Sequence, residues 1–367
     1  MVCSCRVPKV HAGNSAAVAN LYIMTSSEPI LPPLPAPIFT TRSGRIFAFL
    51  PDGERLVVSG TGPKSVSRII SLVAGQDLLV FDKPPQSVRG NAVSTDGKTV
   101  ALAAHHDRVT LYDSQTGQKQ QSLKVGNDVN LSGLEFVPGS HDLLHSSWGG
   151  LTALEADENG NYTVRPLRTS LPFPDNTMYY AIAFAASGNR FACLWSSHTV
   201  GTNISLYAWP PGDEIARLPC RQWDHSYCLD QIIFTPGDQS LLLTAPDGSI
   251  MLWPLVGGEP TGSSQLWLAG PAALSDVGKV STVHSGRLCF SQDGTLLAAG
   301  LDNTLGLWAW PSGECLGEWR LPSSDPIIYQ IGFSPTGLEL AASRYGSNIS
   351  VYRVADLLNT RNIYGNQ

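Results

Sequence analysis

Short apolar runs follow one another along the chain in a fixed order: an apolar run, a turn built from Gly, Asp or Pro, and a second apolar run. The copies read "FAFLPDGERLVVSG", "NAVSTDGKTVALAA", "LEFVPGSHDLLHSS", "IAFAASGNRFACLW", "IIFTPGDQSLLLTA", "LCFSQDGTLLAAG" and "IGFSPTGLELAAS". A residue near the end of each first run, Phe49, Val93, Phe136, Phe184, Phe234, Phe290 or Phe333, marks the register, and successive markers lie 43 to 56 residues apart. Repeats of about 40 to 50 residues belong to solenoids or propellers.

The contents of each period decide between the two. After the paired runs come a loop, an alternating run such as "RVTLYDS", "SIMLWPL" or "TLGLWAW", a second tight turn, and a more polar run such as "QKQQSLK" or "ECLGEWR". Each period therefore encodes four strands. No period keeps apolar residues three and four apart for long enough to make a helix before the next turn arrives. Repeated radially, four-stranded units predict an all-β chain folded as a seven-bladed β-propeller of antiparallel blades.

The stretch "CFSQDGTLLAAGLDNTLGLWAWPSGECL" holds most of the sixth repeat and resembles a WD40 repeat. "FSQDG" stands for its first turn, Asp302 for the aspartate of the following loop and Trp308 for its tryptophan; Asp247 and Trp253 match the same positions one repeat earlier. The resemblance covers about residues 45 to 354. The repeats are divergent: only Tyr112-Asp113 keeps the aspartate of the Trp-Asp pair, and no Gly-His pair precedes a first strand. The resemblance implies a ring that works as an interaction platform. With the usual bracing network mostly missing, the blades must lean on apolar packing.

Closure of the ring sets the expected domain limits. The last repeat supplies strands near 328–334, 338–343 and 348–354 and then stops, so its outer strand must come from the other end of the chain. The candidates are "NLYIMTS" (20–26) and "PIFTTR" (37–42); the second is favoured because it lies nearer the first blade and its proline suits an edge. The reading is an irregular, proline-rich extension over 1–36, the propeller over 37–356 and a tail over 357–367.

Composition agrees with many short strands: 15% of residues are charged, against about 25% in an average globular chain, while 35 are Gly and 26 Pro. The formal net charge of -6 offers no electrostatic attraction to nucleic acid or an anionic membrane. "AAVANLYIM" near the start lacks the flanking charge and cleavage site of a secretory signal. The seven cysteines include no CxxC pair and mostly sit in apolar runs. They read as buried free thiols of a reducing, cytoplasmic setting.

In a propeller, the a–b and c–d turns form one face and the d–a and b–c connections the other. The a–b turns here are short, whereas the extra length falls in "SSHTVGTN" (196–203), "PCRQWDHSYC" (219–228) and "LAGPAALSDVGKVSTVHSG" (268–286), all on the second face. Insertions gathered on one face mark a binding face. Its loops hold His105, His106, Trp148, Tyr179, His198, Trp223, His225, His284, Arg344 and Tyr345. Trp, Tyr and Arg are the side chains that anchor protein interfaces. Trp195, Trp253, Trp308 and Trp310, in or beside strands, read as core.

Catalytic signatures are weak. Among the inner strands only Glu135 and Asp230 could serve a cation, and the neighbours His105 and His106 would point opposite ways on an extended chain. No GxSxG elbow is present, and "GTGPKS" lacks the spacing of a phosphate loop. The expectation is a non-catalytic scaffold with no cofactor and no metal. It would bind protein partners, as a monomer or as a subunit of a larger complex. The alternative is an enzyme-type, metal-dependent propeller with its site at the channel mouth.

Overall fold

The computed structural model describes residues 34–41, 44–60, 66–86, 88–104, 108–125, 131–147, 150–167, 178–197, 200–210, 212–220, 231–245, 249–256, 259–260, 264–268, 287–301, 304–321, 328–344 and 348–364. It contains seven antiparallel sheets, six of four strands and one with a short extra strand. Their inner strands are Ile46–Phe49, Val88–Val93, Leu131–Phe136, Met178–Phe184, Ile232–Phe234, Arg287–Phe290 and Ile328–Phe333. All seven register markers lie on these strands. The fifth sheet is the exception: both Glu259–Pro260 and Gln265–Leu268 pair with Ile250–Val256.

The strand sequences explain their depth in the ring. A second strand has a neighbouring blade against each face, so "TVALAA" (Thr99–Ala104) and "SLLLT" (Ser240–Thr244) are buried at every position. The fourth strand "KQQSLK" (Lys119–Lys124) lies at the rim and alternates between exposed and half-buried. Trp195, Trp253 and Trp308 are buried and Trp310 is half-buried against Trp267 and Phe290. Cys193 and Cys220 are buried, Cys289 and Cys315 half-buried, and all four are free thiols.

Phe39–Thr41, within the expected segment 37–42, pairs with Ile349–Arg353 and supplies the fourth strand of the last sheet, so the ring closes there. The competing segment 20–26 lies outside the described residues. Past that sheet the chain forms a helix, Val354–Tyr364, which runs across the expected limit between propeller and tail at 356. Val354 and Leu357 join the core between the sixth and seventh blades, together with Trp319, Tyr352 and the partly buried Leu34. The Trp319 indole N–H donates to Thr360 Oγ1 at 3.0 Å.

The a–b turns share one device. In four blades a hydroxyl placed just after the marker accepts the first amide of the second strand: Ser94 from Thr99, Thr235 from Ser240, Ser291 from Leu296 and Ser334 from Glu339, at 2.9 to 3.1 Å. In the sixth blade Ser291 Oγ also donates to Asp293 at 2.6 Å. That bond and those from Thr295 hold the Asp293 carboxyl below the usual carboxylate range. The turns also interlock around the ring. Gly97 has φ +71° and lies against Pro51 of the preceding blade, while Gly188 has φ +69° and lies against the backbone of Pro138. A Cβ on Gly188 would run into the Pro138 carbonyl oxygen, closer than any real contact.

Gly188→Ala should therefore destabilise the fold by about 2 kcal/mol or more, read as a shift in the urea midpoint. Gly139→Ala has a similar φ of +74° but open space around it, and should cost only about 1 kcal/mol for the backbone conformation. Equal costs would show that the contact between turns carries no weight.

Candidate functional site

The inner strands surround an axial cavity of about 400 Å³. Each presents its inward backbone edge to that space, and such N–H and C=O groups need partners. Two glutamines supply them across seams between blades. Gln231 donates from Nε2 to the Leu288 carbonyl at 2.8 Å and accepts the Leu288 amide at 2.6 Å. Gln330 treats Phe47 the same way, at 2.8 and 3.0 Å, and so joins the last blade to the first. Both stand three residues before their markers. A third amide, Gln121, holds Tyr162 through paired 2.9 Å bonds between the outer strands of the second and third blades.

One arc of the wall is cationic. The Arg45 guanidinium carbon lies 3.8 Å from the centroid of the Tyr329 ring, and that of Arg287 lies 5.5 Å from the same centroid. Arg287 and Tyr329 line the cavity together with Arg89. These residues come from the sixth, seventh, first and second blades, at or beside the starts of the inner strands. They therefore stand at the d–a end of the channel. Asn91 also lines the cavity, and among the described residues neither its Oδ1 nor its Nδ2 has a hydrogen-bond partner.

Glu135 lines the same cavity from the third blade, next to the blade that carries Arg89, and among the described residues accepts a long bond of 3.4 Å from the Phe184 amide. Enclosure by protein pushes its carboxyl up to about 8, so at neutral pH it keeps its proton. His145, behind it on the second strand of the same blade, is fully buried, and among the described residues neither ring nitrogen has a partner. Burial lowers it to about 4, which leaves a neutral imidazole. Among the described residues no group of three His, Cys, Asp or Glu is placed to hold a metal ion.

Of the ten residues singled out from the sequence, two lie among the described residues, and neither lines the cavity. Arg344 ends the second strand of the last blade, opposite Ile328, and its amide donates to the Asn348 carbonyl at 3.0 Å. Tyr179 pairs with Trp195 at a register shift in the fourth blade. His105, His106, Trp148, His198, Trp223, His225, His284 and Tyr345 lie outside the described residues, as does Asp230. The sequence reading passed over the channel arginines and glutamines, because neither is among the Glu, Asp, Asn and His side chains expected to hold a cation there. Their signal was available: Gln231 and Gln330 recur at one register, and Arg45 and Arg89 align four residues before their markers.

Comparison with known proteins agrees with the repeat. Residues 278–309 match the family model for the WD domain, G-beta repeat. No curated protein sequence matches the chain. A solved structure, the Cps50 (Swd1) β-propeller domain of Myceliophteria thermophila, superimposes with a TM-score of 0.67 at 17% identity, covering 86% of this chain and 99% of that one.

The buried groups make opposite pH predictions. Neutral His145 holds fewer protons folded than unfolded, so its contribution is lost as pH falls from about 6.5 towards 4, up to about 3 kcal/mol. His145→Leu should flatten that acid limb in a series of thermal melts without lowering Tm at pH 7. Glu135 holds an extra proton when folded, so its contribution is present at low pH and declines as pH rises from about 4.5 towards 8. Glu135→Gln should raise Tm at pH 8 and leave it unchanged near pH 4; an equal shift at both would refute the assignment.

Proposed function

We propose that this chain, a divergent WD40-repeat β-propeller, is a non-catalytic platform whose protein partner docks on the face formed by the d–a and b–c connections. The observation that carries the reading is the contrast between the two faces. On the a–b side, turns are tied down by their own hydroxyls and abut the turns of neighbouring blades. The lengthened connections 219–228 and 268–286 are d–a connections, whereas the extra residues of 196–203 go into the strands Arg190–Ser197 and Gly201–Ala208 and leave only 198–200 between them, a correction to the sequence reading. A ring closed by its own N-terminal strand holds loops from separate blades in fixed relation, so a partner engaging several of them loses little conformational entropy.

His105, His106, Trp148, Tyr179, His198, Trp223, His225, His284, Arg344 and Tyr345 form the contact set of this proposal. Free thiols at Cys193, Cys220, Cys289 and Cys315 favour a reducing compartment such as the cytoplasm. Among the described residues no helix is long and apolar enough to cross a membrane.

Affinity capture with the tagged chain, followed by mass spectrometry, should recover a protein partner. Recovery should be abolished by Arg344→Glu combined with Trp223→Ala. Undiminished recovery would reject the face, and stoichiometric metal in the purified protein would reject the non-catalytic reading.

A further inference from the structure

We propose that the chain associates with a second copy of itself through the outer strand of the first blade, Gln76–Val80, the two strands running antiparallel about a two-fold axis at the rim. The inference goes beyond the platform reading, because the rim is a different surface from either face of the ring.

Every blade ends in an open strand edge, and such an edge recruits other strands unless something guards it. Among the described residues six of the seven edges are guarded. "KQQSLK" in the second blade begins and ends with lysine, while "YTVRP" and "EIARLP" in the third and fourth each carry an arginine and end in proline. In the fifth, Trp267 and Leu268 pack into the seam with the sixth blade. The terminal helix lies against the outer strand of the sixth blade, and the seventh presents just the three residues Phe39–Thr41. The first blade has none of these devices. Four of the five residues of "QDLLV" are exposed, and Val73, Leu78 and Val80 of the strand and its turn are 80%, 50% and 53% exposed. Its register shift recurs beside the outer strands of the second, fourth and sixth blades, so that irregularity does not close this edge in particular.

Charge, pattern and closure select a second copy as the occupant. The one charge on the strand, Asp77, lies 2.9 Å from Arg68 Nε of its own blade, so a copy meets no uncompensated like charge across the axis and a strongly charged partner gains nothing. Antiparallel pairing centred on Leu78 sets Leu78 against its own counterpart and Gln76 against Val80, which joins the exposed apolar side chains of the two copies. Each chain has one such bare edge, so an isologous pair leaves none open and association stops at two. Five paired residues and three apolar side chains make a contact smaller than the standard of about 800 Å² per partner. The dimer is therefore reversible, with dissociation in the micromolar range. Its two d–a faces stay uncovered, so one assembly presents two platforms. The net charge of -6 makes copies repel at a distance, and salt screens that repulsion without weakening the apolar contact. Dimerisation should accordingly tighten as salt is raised.

Sedimentation velocity of the full chain, from low to high micromolar concentration, should show a monomer–dimer equilibrium that shifts towards dimer in high salt. Leu78→Lys, which gives this edge the guard present in the second blade, should weaken dimerisation about tenfold or more without lowering Tm. Val73→Asp, at a more exposed position, should weaken it as well, and melts establish that each variant is folded. Leu338→Lys, on an exposed side chain of the seventh blade's a–b turn, should leave the dimer unchanged. Hydrogen exchange over residues 76–80 should slow as the dimer forms, while the outer strands of the other blades keep their rates. A chain that is monomeric at every concentration overturns the proposal, even if some other protein binds this edge. So does a dimer that survives in the folded Leu78→Lys and Val73→Asp variants, one weakened equally by Leu338→Lys, one that loosens in high salt, or protection confined to another blade. The measurements use no cellular partner, so this proposal and the assignment of the docking face can fail separately.

Discussion

No blade of this ring could hold its shape alone. The middle strands are apolar on both faces, and only a neighbouring sheet on each side keeps "TVALAA" or "SLLLT" out of water. Burial between sheets is thus the interaction on which everything else depends, and it exists only when the circle is complete. The pairing of Phe39–Thr41 with Ile349–Arg353 completes it, so a few residues from the start of the described chain hold the last blade against the first. The helix Val354–Tyr364 continues the same job one seam earlier by covering Trp319.

Reliance on apolar packing leaves polar groups with narrow tasks, and the structure shows three. Hydroxyls after the register markers set the a–b turns. Side-chain amides stitch exposed strand edges across seams. Arginines collect at one end of the channel around an aromatic ring. The fourth blade adds a compact network of its own: the Trp195 indole donates to Ser205, which donates to Glu214, and Arg217 pairs with that carboxylate at 2.8 Å while lying over the Trp195 ring. Such local arrangements stand in place of one bracing scheme repeated around the circle.

The architecture was legible because strand period and turn chemistry repeat: seven apolar–turn–apolar copies led to seven sheets, and the edge-compatible "PIFTTR" led to the closing strand. The terminal helix was not legible, since among the described side chains of "VADLLNTRNIY" just Val354 and Leu357 are buried, and its stability comes from the seam it covers. Gln231 and Gln330 were equally opaque, because an amide that grips backbone looks, in sequence, like any solvated glutamine. The proposed docking face rests on the length of the connections alone. The channel arc was hidden by the opposite circumstance, its arginines being dispersed over more than 240 residues of chain, from Arg45 to Arg287.

The amide clamps are not distributed evenly. Gln330 grips the seam where the ring closes and Gln231 the seam between the fifth and sixth blades, both at the hub, whereas Gln121 acts at the rim between the second and third. A circle that is sevenfold in outline is therefore unequal in stiffness. Seams latched at the hub must hinge at the rim and a seam latched at the rim must gape at the hub, so thermal breathing would widen the channel on one side while leaving the other nearly still.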